Sequence, residues 1–597
     1  MGAYLYAGCT LFCNISRSPA LFDDRSRFQF NMRILDWAVF GVYFAGVVGF
    51  ALYQSRKNVG IEGYFLANRR LPWGVIGLSV MATQASAITF IGTTGQAFDD
   101  GMEFIQVYLP QPIVMVVLCV LFVPFFYRAK IFTAYEYLEK RFDLKTRSAT
   151  SLIFLIQRGL GAGIVLYAPA VVLSVIMGWD EKVTILIMGA ITIVYATAGG
   201  ITAVIWTDVI QMIVMFLGIG VAIATLFDTL PDSVGFEEVV YLGGVQDMWS
   251  SIDWSWDPTN TYTIWSGMIG GFFLALAYFG TDQSQVQRYL TAKSLKASRL
   301  SLLFNAFLKV PMQFAILSIG VLLFVFYHFE RPPLLFNAAE VTLAESSEFK
   351  GDFQELSTKQ GSVHTLRKEA TLALLEARRD GGEVDHLRNQ IQLYDTQLSE
   401  IRSEASSIVE NVRGASSNDV NYIFPSYLID YVPAGILGLM IAVIFAAAMS
   451  SLDSELTALS SATVIDLYQR HFRPDASEKH LLWVSKLATL FWGLFGCVVA
   501  LYAGQLGSLL EAVNQVGSFF YGSLLGVFLL AFLVKSSNGD GAFWGLLAGM
   551  ASVFVVAQTT NISWLYYNVV GALTVLLVGT LVSWMSPIGT SQAADGL

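Results

Sequence analysis

Long apolar runs separated by short polar loops dominate this chain. A helix needs about 20 mostly apolar residues to span the hydrocarbon of a bilayer. Thirteen segments meet that need: 34–54, 72–97, 106–127, 148–178, 182–197, 203–229, 262–281, 298–328, 427–468, 480–502, 506–534, 540–559 and 562–584. They are too long and too uniformly apolar for barrel strands, which alternate over about ten residues. The pattern predicts an all-α polytopic membrane protein with about 13 transmembrane helices.

The loops carry an orientation signal, because Lys and Arg accumulate on the cytoplasmic side. Arg56, Lys57, Arg69 and Arg70 follow the first run, and Arg128, Lys130, Lys140, Arg141, Lys145 and Arg147 follow the third. Arg288, Lys293 and Lys296 follow the seventh, and Arg470, Arg473 and Lys479 the ninth. Loop 98–105 instead has Asp99, Asp100 and Glu103, and 230–261 is likewise acidic with no base. The N-terminus is therefore expected outside and the C-terminal tail, 586–597, in the cytoplasm. The lipid bilayer is the plasma membrane, with the bacterial inner membrane as the expected setting.

Two regions interrupt the pattern. Residues 1–31 lack a basic region before the short apolar stretch Tyr4–Cys13, so they read as a tail or an extension ahead of a start at Met32. The transmembrane parts, 32–329 and 426–585, flank a polar segment, 330–425, which the topology puts outside. There Val384, Leu387, Ile391, Tyr394, Leu398, Ile401, Ala405, Ile408 and Val412 keep the 3-4 spacing of a coiled-coil seam. A weaker seam runs through Val363, Leu366, Ala370, Ala373 and Ala377, and Asp380-Gly381-Gly382 marks a turn between the two. This predicts an extracytoplasmic helical hairpin standing off the membrane, which could dock a protein partner or mediate self-association.

Composition sharpens the class. Hydrophobic residues make up 55% of the 597 and charged residues only 14%, against roughly 25% charged in soluble chains. A net charge of -10 argues against nucleic acid as a partner. Four Cys and five His leave little for a disulfide framework or a metal centre. No nucleophile–base pair or metal motif suggests an enzyme.

Polar groups inside spans are costly and mark function by default. The second run holds Met81-Ala-Thr-Gln-Ala-Ser-Ala-Ile-Thr89 between Gly74, Gly77, Gly92 and Gly95, which suits a broken helix lining a cavity. The ninth run reads Ser450-Ser-Leu-Asp-Ser-Glu455, with Ser450, Asp453 and Ser454 on one face. Such oxygens suit a hard monovalent cation. Asp208 is a third acidic candidate. Arg158, in the fourth run, either snorkels to the headgroups or anchors an anionic solute through its fork geometry.

These residues resemble the sodium/solute symporter family, and its sialic acid transporter branch most of all. The resemblance covers roughly 34–330 and 427–584. It is carried by Thr133-Ala-Tyr-Glu-Tyr-Leu-Glu, by Gly199-Gly-Ile-Thr-Ala-Val-Ile-Trp-Thr-Asp-Val-Ile-Gln211, by Gln285-Val-Gln-Arg-Tyr-Leu, and by Phe445-Ala-Ala-Ala-Met-Ser-Ser451 with Asp466-Leu-Tyr. It implies a LeuT-type fold of two inverted five-helix repeats. It also implies a main Na+ site from the carbonyls of Ala82, Ala85 and Ala447 and the hydroxyls of Ser450 and Ser451. A second Na+ site would use Asp208, Ser454 and position 453, where Asp453 replaces the hydroxyl residue that the family pattern expects. Ser86 and Thr89 match carboxylate-binding positions, and Gln84 lies beside them. The arginine that assists them in the family falls at Gly161, so Arg158, one turn earlier, is its expected substitute. The amide expected on the third span has Gln106 and Gln111 nearby. Tyr278 matches an inner-gate tyrosine. The Glu-Gln pair of the sugar branch is replaced by Ile88 and Thr89.

The resemblance thus implies a sodium-coupled symporter importing a small organic solute by alternating access, with an organic anion such as sialic acid as the leading example. A neutral sugar, a vitamin, or a solute sensor built on a carrier-like core are the alternatives.

Overall fold

The computed structural model describes residues 32–55, 60–177, 179–414, 416–417, 419–504 and 509–586. The segment 1–31 and the terminal tail beyond Ser586 lie outside the described residues. All regular elements among the described residues are helices, apart from an isolated bridge between Leu71 and Ala292. The first part contains α1 (Ile34–Ser55), α2 (Gly60–Leu66), α3 (Trp73–Gln84), α4 (Ala87–Asp100), α5 (Gln111–Val117), α6 (Val123–Ala129) and α7 (Ala134–Arg141). It continues through α8 (Leu144–Met177), α9 (Glu181–Thr229), α10 (Phe236–Val245), α11 (Phe272–Thr281), α12 (Gln283–Leu290) and α13 (Leu295–Phe329). The insertion holds α14 (Ala338–Glu345), α15 (Lys350–Asp380) and α16 (Asp385–Arg413). The rest is α17 (Ile423–Tyr431), α18 (Ile436–Ser461), α19 (Glu478–Ala503), α20 (Leu509–Leu533), α21 (Gly539–Thr559) and α22 (Tyr567–Met585).

Ten helical segments among the described residues are long and apolar enough to cross a membrane, and the bent pair α3–α4 brings the number to as many as eleven. Two differences separate this from the thirteen expected. Segments 182–197 and 203–229 form two helical limbs of α9 that join without a loop at Gly200 (φ 58°, ψ 178°), and only Ala196–Thr229 is long and apolar enough to count as a span. Unbent, α9 would be about 74 Å long, more than twice the ~30 Å hydrocarbon core. The bend falls at Gly200 because that backbone region is essentially closed to residues with a Cβ. Segment 262–281 is also shorter than expected: its apolar helix covers Ser266–Thr281, opens with a π-helical stretch and stops at Asp282.

The core forms around α18, which is buried along nearly its whole length. Its N-terminus is tied to α1 by Asp36, whose Oδ1 accepts from the backbone N–H groups of Gly435 (2.6 Å) and Gly438 (2.9 Å). A carboxylate there is favoured by the free N–H groups and by the helix dipole. Helix α13 clasps the broken pair. A Cβ on Gly77 would lie 2.7 Å from the Phe304 ring, and one on Gly320 only 2.3 Å from the Thr94 carbonyl oxygen. Both approaches are too close for any larger residue.

Helices α15 and α16 are joined by a turn at Gly381 (φ 70°), with Gly382 N–H on the Ala377 carbonyl at 2.8 Å. Ile391, Ile401 and Ala405 are buried along the seam, but Val409 rather than Val412 takes its last buried place. The pair does not stand off the core. Arg367 donates to the Tyr327 carbonyl and to Asp395, each at 2.6 Å. Arg402 reaches Asp99 at 2.8 Å and Asp419 at 2.6 Å, and Gln392 donates to the Val245 carbonyl at 2.7 Å. Ala370, Leu374 and Ile391 join the main apolar core. The hairpin lies down on the ends of α4, α10 and α13.

Candidate functional site

The site grows from a break in the second predicted span. Helix α3 ends at Gln84, Ala85 caps it in a non-helical conformation (φ -87°, ψ 75°), and Ser86 is extended (φ -80°, ψ 171°). The Ser86 hydroxyl accepts from Thr89 N–H at 3.3 Å, restarting the chain as α4 after a 56° bend. Serine is a favoured N-cap for this reason. Breaking the ladder frees carbonyls at the end of α3, and α18 supplies hydroxyls to meet them. Ser450 Oγ donates to the carbonyls of Ala82 and Ala447, both at 3.1 Å. Ser451 Oγ donates to the carbonyls of Thr83 and Ala447, both at 3.2 Å. Thus four of the five residues expected at the main cation site converge, with Thr83 added, and Ala85 stands at the break itself. All are buried, neutral and oxygen-bearing. Such a donor set fits a hard monovalent cation, which takes oxygen ligands without needing a carboxylate. Ser450, Ser451 and the three carbonyls are the groups that would hold it.

Asp208, Asp453 and Ser454 also come together, but around a residue the sequence reading assigned to a loop. Arg288 is fully buried on α12. Its Nη2 reaches Asp208 Oδ2 at 3.1 Å and also Ser454 Oγ; its Nε reaches Ser79 Oγ at 2.9 Å. Ser79 in turn donates to Asp208 Oδ2 at 2.6 Å, and Ser454 to Asp453 Oδ1 at 3.2 Å. A guanidinium therefore already compensates Asp208. Arg288 counts as a structural charge rather than a cytoplasmic-loop base.

Beside the cation cluster lies a cavity of about 140 Å³. Gln84, Ser86, Thr89, Arg158 and Tyr278, the five expected solute residues, all line it. Thr83 and Ser451 line it too, so the cation cluster and the cavity share a wall. Of the two amides considered on the third span, Gln111 lines the cavity and donates to Gln84 Oε1 at 3.4 Å. Gln106 is used structurally, donating to the Tyr262 carbonyl at 2.8 Å and accepting from Asp253 N–H at 3.0 Å. Tyr278 accepts from Gln285 Nε2 at 2.8 Å.

Arg158 does not snorkel; it is buried and held by acids. Nε and Nη2 bond Asp282 Oδ2, the former at 2.9 Å, and Nη1 bonds Glu455 Oε1 at 2.9 Å. Nη2 also donates to the Tyr521 hydroxyl at 2.6 Å, and the guanidinium lies 5.3 Å from the Tyr278 ring centroid. Asp282, Tyr521 and the Arg158–Glu455 pairing were missed because they depend on contacts between distant spans. Lys309 was missed despite a usable signal, since a lysine within a predicted span is costly. It is fully buried on α13, with its ammonium 5.1 Å from the ring centroid of Tyr108, a cavity-lining residue.

Comparisons with known proteins point to one family. The sequence pattern of the sodium:solute symporter family matches residues 64–340 and 393–549, passing over the whole of α15. A sodium/sialic acid symporter of Proteus mirabilis is 27% identical over 553 residues, 92% of this chain and 94% of that protein. The human sodium-coupled monocarboxylate transporter 2 is 27% identical over 530 residues, 88% of this chain and 73% of that protein. The solved substrate-bound, outward-open structure of a sodium-coupled sialic acid symporter superposes with a TM-score of 0.73 at 25% identity. It covers 93% of this chain and 99% of its own.

Proposed function

Because the chain belongs to the sodium:solute symporter family, we propose that it carries a small organic anion through the cavity at the helix break, with sialic acid the first solute to test. The protein is a multi-pass, LeuT-like membrane transporter coupled to sodium. The observation that carries the coupling is the shared wall: Thr83 and Ser451 serve both the cation cluster and the cavity. Sodium binding across Ala82, Ala447, Ser450 and Ser451 holds the broken helix against α18 and completes the solute cavity. Coupling of this kind is reciprocal, so solute must tighten sodium as sodium tightens solute. Each positive charge moving inward gains about 2.3 kcal/mol per 100 mV.

Ser86, Thr89 and the N-terminus of α4 support an anionic solute, because free N–H groups and the helix dipole favour a carboxylate there. A neutral or zwitterionic solute is the second reading, favoured by Arg158 being neutralised by Asp282 and Glu455. Asp208, Asp453 and Ser454 form a second sodium site in this proposal, with Asp208 Oδ1 still free of any hydrogen-bond partner. The N-terminus outside, the C-terminus in the cytoplasm of a bacterial cell, and a protein contact through 330–425 complete the reading. Uptake of labelled sialic acid into proteoliposomes tests it. A solute affinity equal in sodium and in potassium rules coupling out, and binding without counterflow points to a sensor.

A further inference from the structure

Arg158 uses one oxygen of Glu455 and leaves the other without a donor. Oε1 accepts from Nη1 at 2.9 Å, while Oε2 is buried and accepts no hydrogen bond. Gln157, next to Arg158 on α8, repeats the pattern: its Oε1 is buried and has no donor. Both side chains line the cavity, and both are nearly enclosed, with 4% of Glu455 and 3% of Gln157 exposed. A buried acceptor left unpaired is unfavourable, and most such groups in proteins are satisfied. If the acid served Arg158 alone, one oxygen would suffice, since Asp282 and Tyr521 take three more of the guanidinium hydrogens.

We propose that Glu455 and Gln157 form a hydrogen-bond-accepting subsite of the solute cavity, which selects solutes bearing a hydroxyl or ammonium donor away from their carboxylate. The inference rests on the solute reading above and narrows it. Glu455 stands one turn along α18 from Ser451, about 6 Å, so the subsite begins one turn beyond the cation cluster. The terminal torsions of Glu and Gln are broad, and a small rotation brings either oxygen to the cavity surface. With both acids ionised, Arg158, Asp282 and Glu455 together carry one excess negative charge, which favours a donor group over an acceptor at this wall. A site built to hydrogen-bond a solute group discriminates strongly against the analogue that lacks it.

The test uses the purified full-length protein in sodium and matched acids. One set is butyrate, 4-hydroxybutyrate and 4-aminobutyrate; a second is N-acetylneuraminate with its 9-deoxy analogue. Dissociation constants come from thermal stabilisation. The wild type is expected to bind the donor-bearing member of at least one set tenfold or more tightly than its partner. Glu455→Gln keeps the shape and an oxygen for Arg158 but puts an amide donor where Oε2 was. It should bring the ratio for the ammonium acid close to one. Gln157→Leu provides an independent variant, expected to reduce the same ratio. Stabilisation by sodium alone reports whether each variant is folded. Equal binding in every set, or a preference that survives both variants, overturns the subsite. If no acid binds more tightly in sodium than in potassium, the parent reading fails instead.

Discussion

The hydroxyl of Ser450 on α18 donates to the carbonyl of Ala82 on α3 at 3.1 Å, joining a serine to the buried, broken end of a helix 368 residues away in sequence. Replacing Ser450 or Ser451 with Ala removes one of two hydroxyls from a small oxygen cage. The sodium half-saturation of uptake should rise about tenfold or more in either variant, with solute affinity at saturating sodium much less affected. An unchanged sodium dependence in both variants sinks the assignment of the main cation site.

Removing Arg158 strands two buried carboxylates. Arg158→Met is expected to destabilise the protein by about 3–5 kcal/mol, the usual cost of breaking a buried ion pair from one side. Adding Glu455→Met and Asp282→Met should recover part of that loss. Thermal unfolding of the single and triple variants gives the comparison, and a triple variant less stable than the single one contradicts the charge argument.

Asp208→Asn and Asp453→Ser address the second cation site. If it is used, each should shift the Hill slope or the half-saturation for sodium. If Asp208 serves only Arg288, the first variant lowers the melting temperature while leaving sodium dependence intact. Measuring both properties in both variants separates these outcomes.

Acid should loosen the hairpin. His364 is held neutral, pushed down to about 4 by burial and by the Arg367 charge. Its unfolded value is about 6.5, so the undocked state binds more protons between those values. Stability is therefore complete above about 6.5 and falls as pH drops toward 4. Asp395 adds to this at lower pH: burial raises its carboxyl, but His328 and Arg367 outweigh burial and hold it well below the usual range. Protection of the amides across 350–413, taken relative to the intrinsic exchange rate at each pH, should thus be lower at pH 5.5 than at pH 7.5. Equal protection at the two values argues against His364 as the sensitive group.

The contact of Gly320 with Thr94 offers a packing test. Gly320→Val forces α13 away from α4, and overpacking typically costs about 1–3 kcal/mol. A melting temperature unchanged in detergent would mean that the two helices are not so closely apposed.

Much of the site was legible because its ingredients are local. Thr83-Gln84-Ala85-Ser86 carries its own helix stop and N-cap, and Ser450-Ser451 places two hydroxyls side by side on one helix. The Arg288–Asp208 and Arg158–Asp282 pairs were not legible, since partners on separate spans leave no periodicity. Arg288 also looked like loop charge because Gln283–Leu290 is polar, yet the whole of α12 is buried. The seam of the hairpin could be read from apolar spacing. Its docking could not, because that rests on polar contacts from Arg367, Gln392 and Arg402 that resemble ordinary surface residues. The count of thirteen differs for another reason: the runs 182–197 and 203–229 meet at Gly200 with no loop between them, and an apolar pattern does not tell a bend at one glycine from a turn between two spans.

That bend has a mechanical side. Two rigid limbs of α9 meet at Gly200, and Asp208 rides on the second limb, about two turns beyond the joint. Rotation there is borne by a single pair of backbone torsions rather than by a loop, so the limbs can pivot without either one unwinding. The lever arm is short, which makes a few degrees of tilt a displacement of only an ångström or two at Asp208. A motion that small can lengthen or restore an ion pair with Arg288 while the packed body around it stays intact.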